Sequence, residues 1–314
     1  MAIATDLDER IRAHERALYA HYHLDPIERT VTVDQLAVRL TEFTPPTVAS
    51  QPTVLLLHGI ASITAAAAPL LEYLAAGRRV IAVDWPGHGL SGPITLPRGA
   101  SIRAHAVRTL RGLHAELGLD RADMVGHSMG AQFALYLAVD APELVGKLVL
   151  IGAPGAGFAG ARPVPAMRVL SVPGLGAALL RAPLSKAAYK RNNDAMTGRG
   201  VIDRYPSDLL DIGYLAGQRP GFAPSVSSFF RALITPRAIR PGVPVPISDL
   251  ASLVAATLLV WGTEDVFMTP HKASASINAI PRHTLLTVPG AGHLPWLNDP
   301  QLCGKTIIEF LDSP

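Results

Sequence analysis

The chain has one cysteine, Cys303, in 314 residues. That excludes an internal disulfide and any metal centre built from several thiolates. Cys303 falls in a predicted C-terminal helix and reads as a buried structural thiol. Charge is also scarce. Asp, Glu, Lys and Arg make up 17% of the chain and leave a formal net charge of +3, too weak to draw a nucleic acid. No run of about eighteen or more apolar residues exists, so no membrane-spanning helix is predicted. Asp6, Asp8, Glu9 and Arg10 crowd the first ten residues, with none of the apolar core of a secretory signal. The expectation is a soluble cytoplasmic protein. His14, His21 and His23 lack acidic or cysteine companions at a metal-like spacing and read as surface or packing residues. Neither a metal nor an organic cofactor is implied. What the chain does have is apolar material, 49% of residues, enough for one large domain or a domain with an insertion.

Along the chain, Leu7, Ile11, His14, Leu18 and Tyr22 recur at spacings of three and four. They predict a helical arm over residues 1–28 that ends before Pro26. Thr30–Val33 and Leu36–Phe43 read as strands of a hairpin around Asp34-Gln35, ended by Thr44-Pro45-Pro46. Thr53–Leu57 is a continuous apolar run, as in a strand buried on both faces. A helix over Thr64–Ala76, a strand over Arg79–Val83, a helix over Ser101–Leu117 stopped by Gly118, and a strand over Lys147–Ile151 follow. Alternating strands and helices predict an α/β fold with a mostly parallel central sheet flanked by helices. Residues 154–250 differ. Pro and Gly are frequent there, strand signals are absent, and short helical pieces alternate with breaks such as Pro173-Gly174. Strands at Ala256–Val260 and His283–Val288 and helices at Pro270–Ile280 and Asp299–Leu311 complete the chain.

The chain centres on Gly126-His127-Ser128-Met129-Gly130. A strand-like run, Ala122–Val125, precedes it, and Ala131–Val139, without Gly or Pro, follows as a helix. A Gly-x-Ser-x-Gly sequence at a sharp strand-to-helix turn is the context of a nucleophile elbow. Side chains at 126 or 130 would crowd the neighbouring strand and helix. Such a turn exposes the Ser128 hydroxyl and aims the Met129 N–H, at a helix N-terminus, toward an anion.

Five pieces in order resemble the α/β-hydrolase superfamily, in its capped, epoxide-hydrolase-like and haloperoxidase-like branch. They are His58-Gly59, Asp84-Trp85-Pro86-Gly87-His88-Gly89-Leu90-Ser91, the elbow at Ser128, Trp261-Gly262-Thr263-Glu264-Asp265, and Gly292-His293-Leu294-Pro295. Each ends a predicted strand, where open α/β sheets bind ligands. The resemblance covers roughly residues 30–153 and 250–312. It implies an α/β-hydrolase core over 29–153 and 251–314 and an inserted helical cap over 154–250.

It also implies a chain order of serine, acid, histidine. His293, in a Gly-rich loop after the last strand, is the expected base. His283 stands at the wrong end of that strand and His271 early in a helix. The family's Gly-x-x-Asp spacing selects Asp265 as the acid, leaving Glu264 in solvent. Ser128, Asp265 and His293 are therefore the expected catalytic residues. The expected oxyanion donors are the backbone N–H groups of Met129 and Ile60, with Ala61 an alternative for the second. His58 and His127 read as loop-organising residues, and Asp84 and His88 as structural ties beneath the site.

A serine at the elbow argues against haloalkane dehalogenase and epoxide hydrolase chemistry, which use aspartate there. Relatives that cleave carbon–carbon bonds carry a Gly-rich segment after His-Gly and a Trp-Glu pair after the histidine. This chain has Ile60-Ala61-Ser62 and Pro295-Trp296-Leu297 instead. The expected activity is hydrolysis of an ester, thioester or lactone through an acyl-enzyme. C–C hydrolysis, acyl transfer and perhydrolysis are neighbouring alternatives, and a ligand-binding receptor or scaffold is the alternative of another class. From Pro154 to Val245 there are 12 Lys and Arg against 4 acids. With Leu175, Leu179, Leu180 and Leu184 at helical spacing, this points to a small-molecule substrate with an apolar body and an anionic or polar tail, or to an acidic carrier protein. A solvated surface and ordinary packing explain the same residues.

Overall fold

The computed structural model describes residues 2–45 and 51–314. Pro46, in the predicted break after the hairpin, lies outside the described residues. Eight strands form one sheet: β1 Ile27–Val33, β2 Leu36–Phe43, β3 Val54–Leu57, β4 Val80–Val83, β5 Ala122–His127, β6 Val145–Ile151, β7 Thr257–Gly262 and β8 His283–Val288. Their order is β1-β2-β4-β3-β5-β6-β7-β8. Only β2 runs against its neighbours; β4 through β8 are parallel. The β1–β2 turn has positive φ at both Asp34 (51°) and Gln35 (65°). Two left-handed residues in a two-residue loop match the twist of a tight hairpin.

The helices are α1 Ala2–His21, α2 Ala68–Leu74, α3 Ile102–Leu117, α4 Met129–Asp140, α5 Pro165–Leu170, α6 Leu175–Arg181, α7 Lys186–Thr197, α8 Ser207–Ala216, α9 Phe222–Leu233, α10 Ile247–Ala251, α11 Ser274–Ala279, α12 Pro295–Asn298 and α13 Pro300–Asp312. They cover both faces of the sheet, and the strand pleat divides the core between them. Leu55 and Leu57 of β3 join one core with α3, α4 and α9, while Val54 and Leu56 join the other with α1, α2, α8 and α13. Cys303 is fully buried in α13, and burial pushes its thiol up to about 12.

Several predicted boundaries move. The N-terminal helix ends at His21 and β1 begins at Ile27, inside the expected arm. The helix expected at Thr64–Ala76 opens as a 3₁₀ turn over Thr64–Ala67 before α2. The helix expected at Pro270–Ile280 shrinks to Ser274–Ala279. By contrast α3 starts at its Ser101 cap, whose hydroxyl accepts from the Ala104 N–H, and stops at Gly118 with φ 62°.

The arm reaches further than the main body. Ile11 and Leu18 of α1 are fully buried. Arg39 of β2 is buried between Glu15 of α1 (2.6 Å) and Asp84 after β4 (3.1 Å). Asp8 accepts from Arg219 (2.6 Å) and His14 bonds Asp208 (2.7 Å), so α1 also ties down the helices between β6 and β7.

Candidate active site

Ser128 sits at the end of β5 with φ 53° and ψ −114°, as the residue before α4. A non-glycine residue in that region is strained and persists only where packing fixes it. The packing is visible at the two glycines. A Cβ on Gly126 would lie 2.5 Å from the Ala131 nitrogen, and one on Gly130 would lie 2.3 Å from the Leu57 carbonyl oxygen. Only hydrogens let β5, α4 and β3 approach this closely. Met129 is the first residue of α4, so helix geometry leaves its N–H without an intrahelical acceptor.

Asp265 follows β7 and His293 follows β8. His293 Nδ1 lies 2.8 Å from Asp265 Oδ2. Asp265 Oδ2 also accepts the Ala153 N–H at 2.9 Å, and Oδ1 accepts the Phe267 N–H at 2.9 Å. Burial alone would raise this carboxyl, but His293 and the two backbone donors outweigh it and hold it below the ordinary carboxylate value. An ionised Asp265 makes His293 Nδ1 the protonated nitrogen and leaves Nε2 free to accept. Glu264, its neighbour, is exposed. His283 is occupied at the far end of β8, its Nδ1 2.6 Å from the Ile280 carbonyl, and His271 is exposed. No hydrogen bond joins Ser128 Oγ to the His293 ring, but both residues line one cavity.

Ile60 and Ala61 lie on that cavity too, in the turn after β3, with Ala61 at φ 57°. The Ser62 N–H closes this turn on the Gly59 carbonyl at 3.3 Å. A Cβ on Gly59 would meet Ser128 Cβ at 3.2 Å, so the turn lies directly against the elbow. His58 braces it. Its Nδ1–H donates to the Gly59 carbonyl (2.7 Å) and its Nε2 accepts the Trp85 N–H (3.0 Å). Asp84 accepts from Thr64 N–H, Leu90 N–H and Arg39, and His88 donates to the Pro86 carbonyl. Burial pushes His88 down to about 3. His127 Nε2–H donates to the His293 carbonyl at 3.1 Å. Burial, and then the adjacent His293, hold His127 well below the usual imidazole value, so it stays a neutral brace.

A family model described as alpha/beta hydrolase fold matches residues 52–300. The chain belongs to the α/β-hydrolase fold family. It is 32% identical over 265 residues to the 2-hydroxy-6-oxononadienedioate/2-hydroxy-6-oxononatrienedioate hydrolase 2 of Pseudomonas putida, covering 82% of this chain and 87% of that protein. It is 29% identical over 271 residues to an uncharacterised protein of Mycobacterium tuberculosis, covering 84% of this chain and 76% of that one. Among solved structures, a carboxylesterase of Bacillus subtilis superposes with a TM-score of 0.75 at 21% identity, over 98% of this chain and 99% of that one.

This α/β-hydrolase has a cavity of about 1310 Å³ over Ser128, lined from below by the sheet's loops and from above by residues of α5 to α9. That exceeds the volume of an ordinary drug-sized pocket, roughly 300–1,000 Å³. Leu179, Leu180 and Leu184 line it, but Leu175 does not. The four leucines are not one helix face, because α6 ends at Arg181. Two supports of the site were not anticipated from the sequence. The Met196 carbonyl of α7 accepts the His293 N–H at 2.7 Å, and the Phe267 ring meets the His293 ring edge-on at 4.4 Å. The first is a contact between distant parts of the chain with no residue preference, since it is made by main chain. The second had a readable cue in an aromatic two residues beyond Asp265.

Proposed function

We infer that the protein is a serine hydrolase acting on a carboxylic ester, thioester or lactone with a large apolar acyl part. Ser128 is the nucleophile, His293 the base and Asp265 the acid that orients it. His293 Nε2 takes the Ser128 proton as Oγ attacks the acyl carbon. The N–H groups of Ile60 and Met129 receive the tetrahedral oxyanion. His293 then returns the proton to the leaving group, and water repeats the sequence on the acyl-enzyme. The observation that carries this is the 2.8 Å contact of buried Asp265 with His293, which lines the same cavity as Ser128. The helices between β6 and β7 act as a cap and give that cavity its apolar upper wall. Arg162 and Arg181 line it without a carboxylate partner among the described residues, which supports a negative or polar substrate tail.

Cleavage of a carbon–carbon bond is the second reading, supported by the relative in Pseudomonas putida. The residues after His58-Gly59 and after His293 weigh toward the ester. The test is fluorophosphonate labelling, then p-nitrophenyl esters of rising chain length beside a 2-hydroxy-6-oxo-dienoate. Ser128 should be labelled, and medium to long acyl esters should be turned over faster than acetate. Ser128→Ala should abolish labelling and reduce turnover by roughly 10⁴–10⁶ while remaining folded. Full esterase activity in folded Ser128→Ala sinks the mechanism, and turnover of the dienoate alone selects the second reading.

A further inference from the structure

We propose that the α5–α6 hairpin is a docking surface for a lipid bilayer with anionic headgroups. Ten large aliphatic side chains stand exposed in the described chain, and four of them fall within residues 169–184: Val169 (41%), Leu175 (47%), Leu179 (47%) and Leu184 (43%). This clustering distinguishes them from singly scattered surface residues. The hairpin's inner side is anchored on α9. A Cβ on Gly176 would lie 2.0 Å from the Leu170 carbonyl and 2.9 Å from Ser227 Oγ, so α6 is pressed against α5 and α9 there. Val169, Leu175, Leu179 and Leu184 remain exposed.

The stretch of chain that carries them is basic. Residues 154–193 contain Arg162, Arg168, Arg181, Lys186, Lys190 and Arg191 and no Asp or Glu. Lys186 and Lys190 pair with acids from outside this stretch, but Arg162, Arg181 and Arg191 have no ion pair among the described residues. Exposed aliphatic side chains with arginines beside them match the apolar depth and the negative charge of an anionic bilayer interface. An acidic carrier protein would match the arginines but leave the aliphatics without a role. The surface is also continuous with the cavity. Leu179, Arg181 and Leu184 are exposed and line the cavity that reaches Ser128. An amphiphile could pass from the bilayer into it without crossing water. The docking does not depend on which bond Ser128 attacks.

The test uses the full chain and co-sedimentation with vesicles. Binding to equimolar phosphatidylcholine and phosphatidylglycerol should exceed binding to phosphatidylcholine alone by at least about tenfold, since each unpaired arginine near an anionic surface contributes about fivefold. High salt should reduce that advantage. Val169 and Leu175 do not line the cavity, so Val169→Asp/Leu175→Asp should lose vesicle binding by about tenfold or more and hydrolyse a soluble short-chain ester as the parent does. Arg168→Glu, also outside the cavity, should weaken binding to the anionic vesicles only. Ser128→Ala should bind vesicles fully, which separates failure of docking from failure of the hydrolase reading. Equal binding to both vesicle types, no binding to either, or a folded double variant that binds as the parent does would overturn the proposal. So would an acidic acyl carrier protein that binds where vesicles do not, or a dimer in solution that Val169→Asp/Leu175→Asp dissociates.

Discussion

Glu264 and Asp265 are adjacent carboxylates on one turn, yet only Asp265 meets a histidine, with two backbone donors holding it in place. Their roles in turnover should therefore separate cleanly. Asp265→Asn should lower kcat by up to about 10⁴, because the imidazolium loses its counter-charge and the favoured tautomer. Glu264→Gln should change kcat by less than about tenfold. The measurement is kcat on one soluble ester for both variants, and the reverse ranking would mean that Glu264 is the acid. The contact of Asp265 with His293 agrees with the Gly-x-x-Asp spacing that the family resemblance supplied. Ser128 was legible in the sequence, since a strained turn has to be flanked by residues without side chains. The His127 and Met196 contacts to His293 were not legible, because each uses a main-chain group that any sequence supplies.

Elements built on local rules were readable, and those built on tertiary contacts were not. The hairpin at Asp34-Gln35 and the stop at Gly118 are settled by φ requirements within a few residues. The length of α11 and the 3₁₀ opening of α2 depend on how neighbouring loops pack, which periodicity does not encode. The elbow glycines make this difference measurable. Gly130→Ala puts a methyl group into the main chain of β3, and should cost about 1–3 kcal/mol or more through displacement of α4. Gly77→Ala, where a Cβ meets nothing within 4 Å, should change stability by less than about 0.5 kcal/mol. Urea midpoints for the two variants decide the matter, and equal midpoints would show that α4 has room to shift away from β3.

The molecule as a whole buries an unusual set of neutral histidines between its layers. His58, His88, His105 and His127 all lie below the usual imidazole value, chiefly through burial, with His88 near 3 and His105 at about 4. The rings of His88, His105 and His127 also pack against Trp85, Phe229 or Trp296. In the unfolded chain these rings titrate near 6.5. Below that pH the unfolded state binds protons that the folded state refuses, so stability falls with acidification through the window from 6.5 toward 4. At pH 5 a single fully buried ring of this kind contributes a loss of roughly 2 kcal/mol. Asp265 and Asp84, held below ordinary carboxylates, add their own loss only further down, as the pH falls below about 4. The histidine loss should therefore begin at a higher pH than the loss from Asp84 and Asp265, while Glu15 and Asp123, whose carboxyls burial raises, work in the opposite direction. Urea unfolding at pH 7 and pH 5 should show a lower midpoint at pH 5, and His105→Phe, if it folds, should shrink the difference by about the share of one ring. A midpoint unchanged between those two values would mean that the buried rings gain their protons as readily in the folded protein as in the unfolded chain.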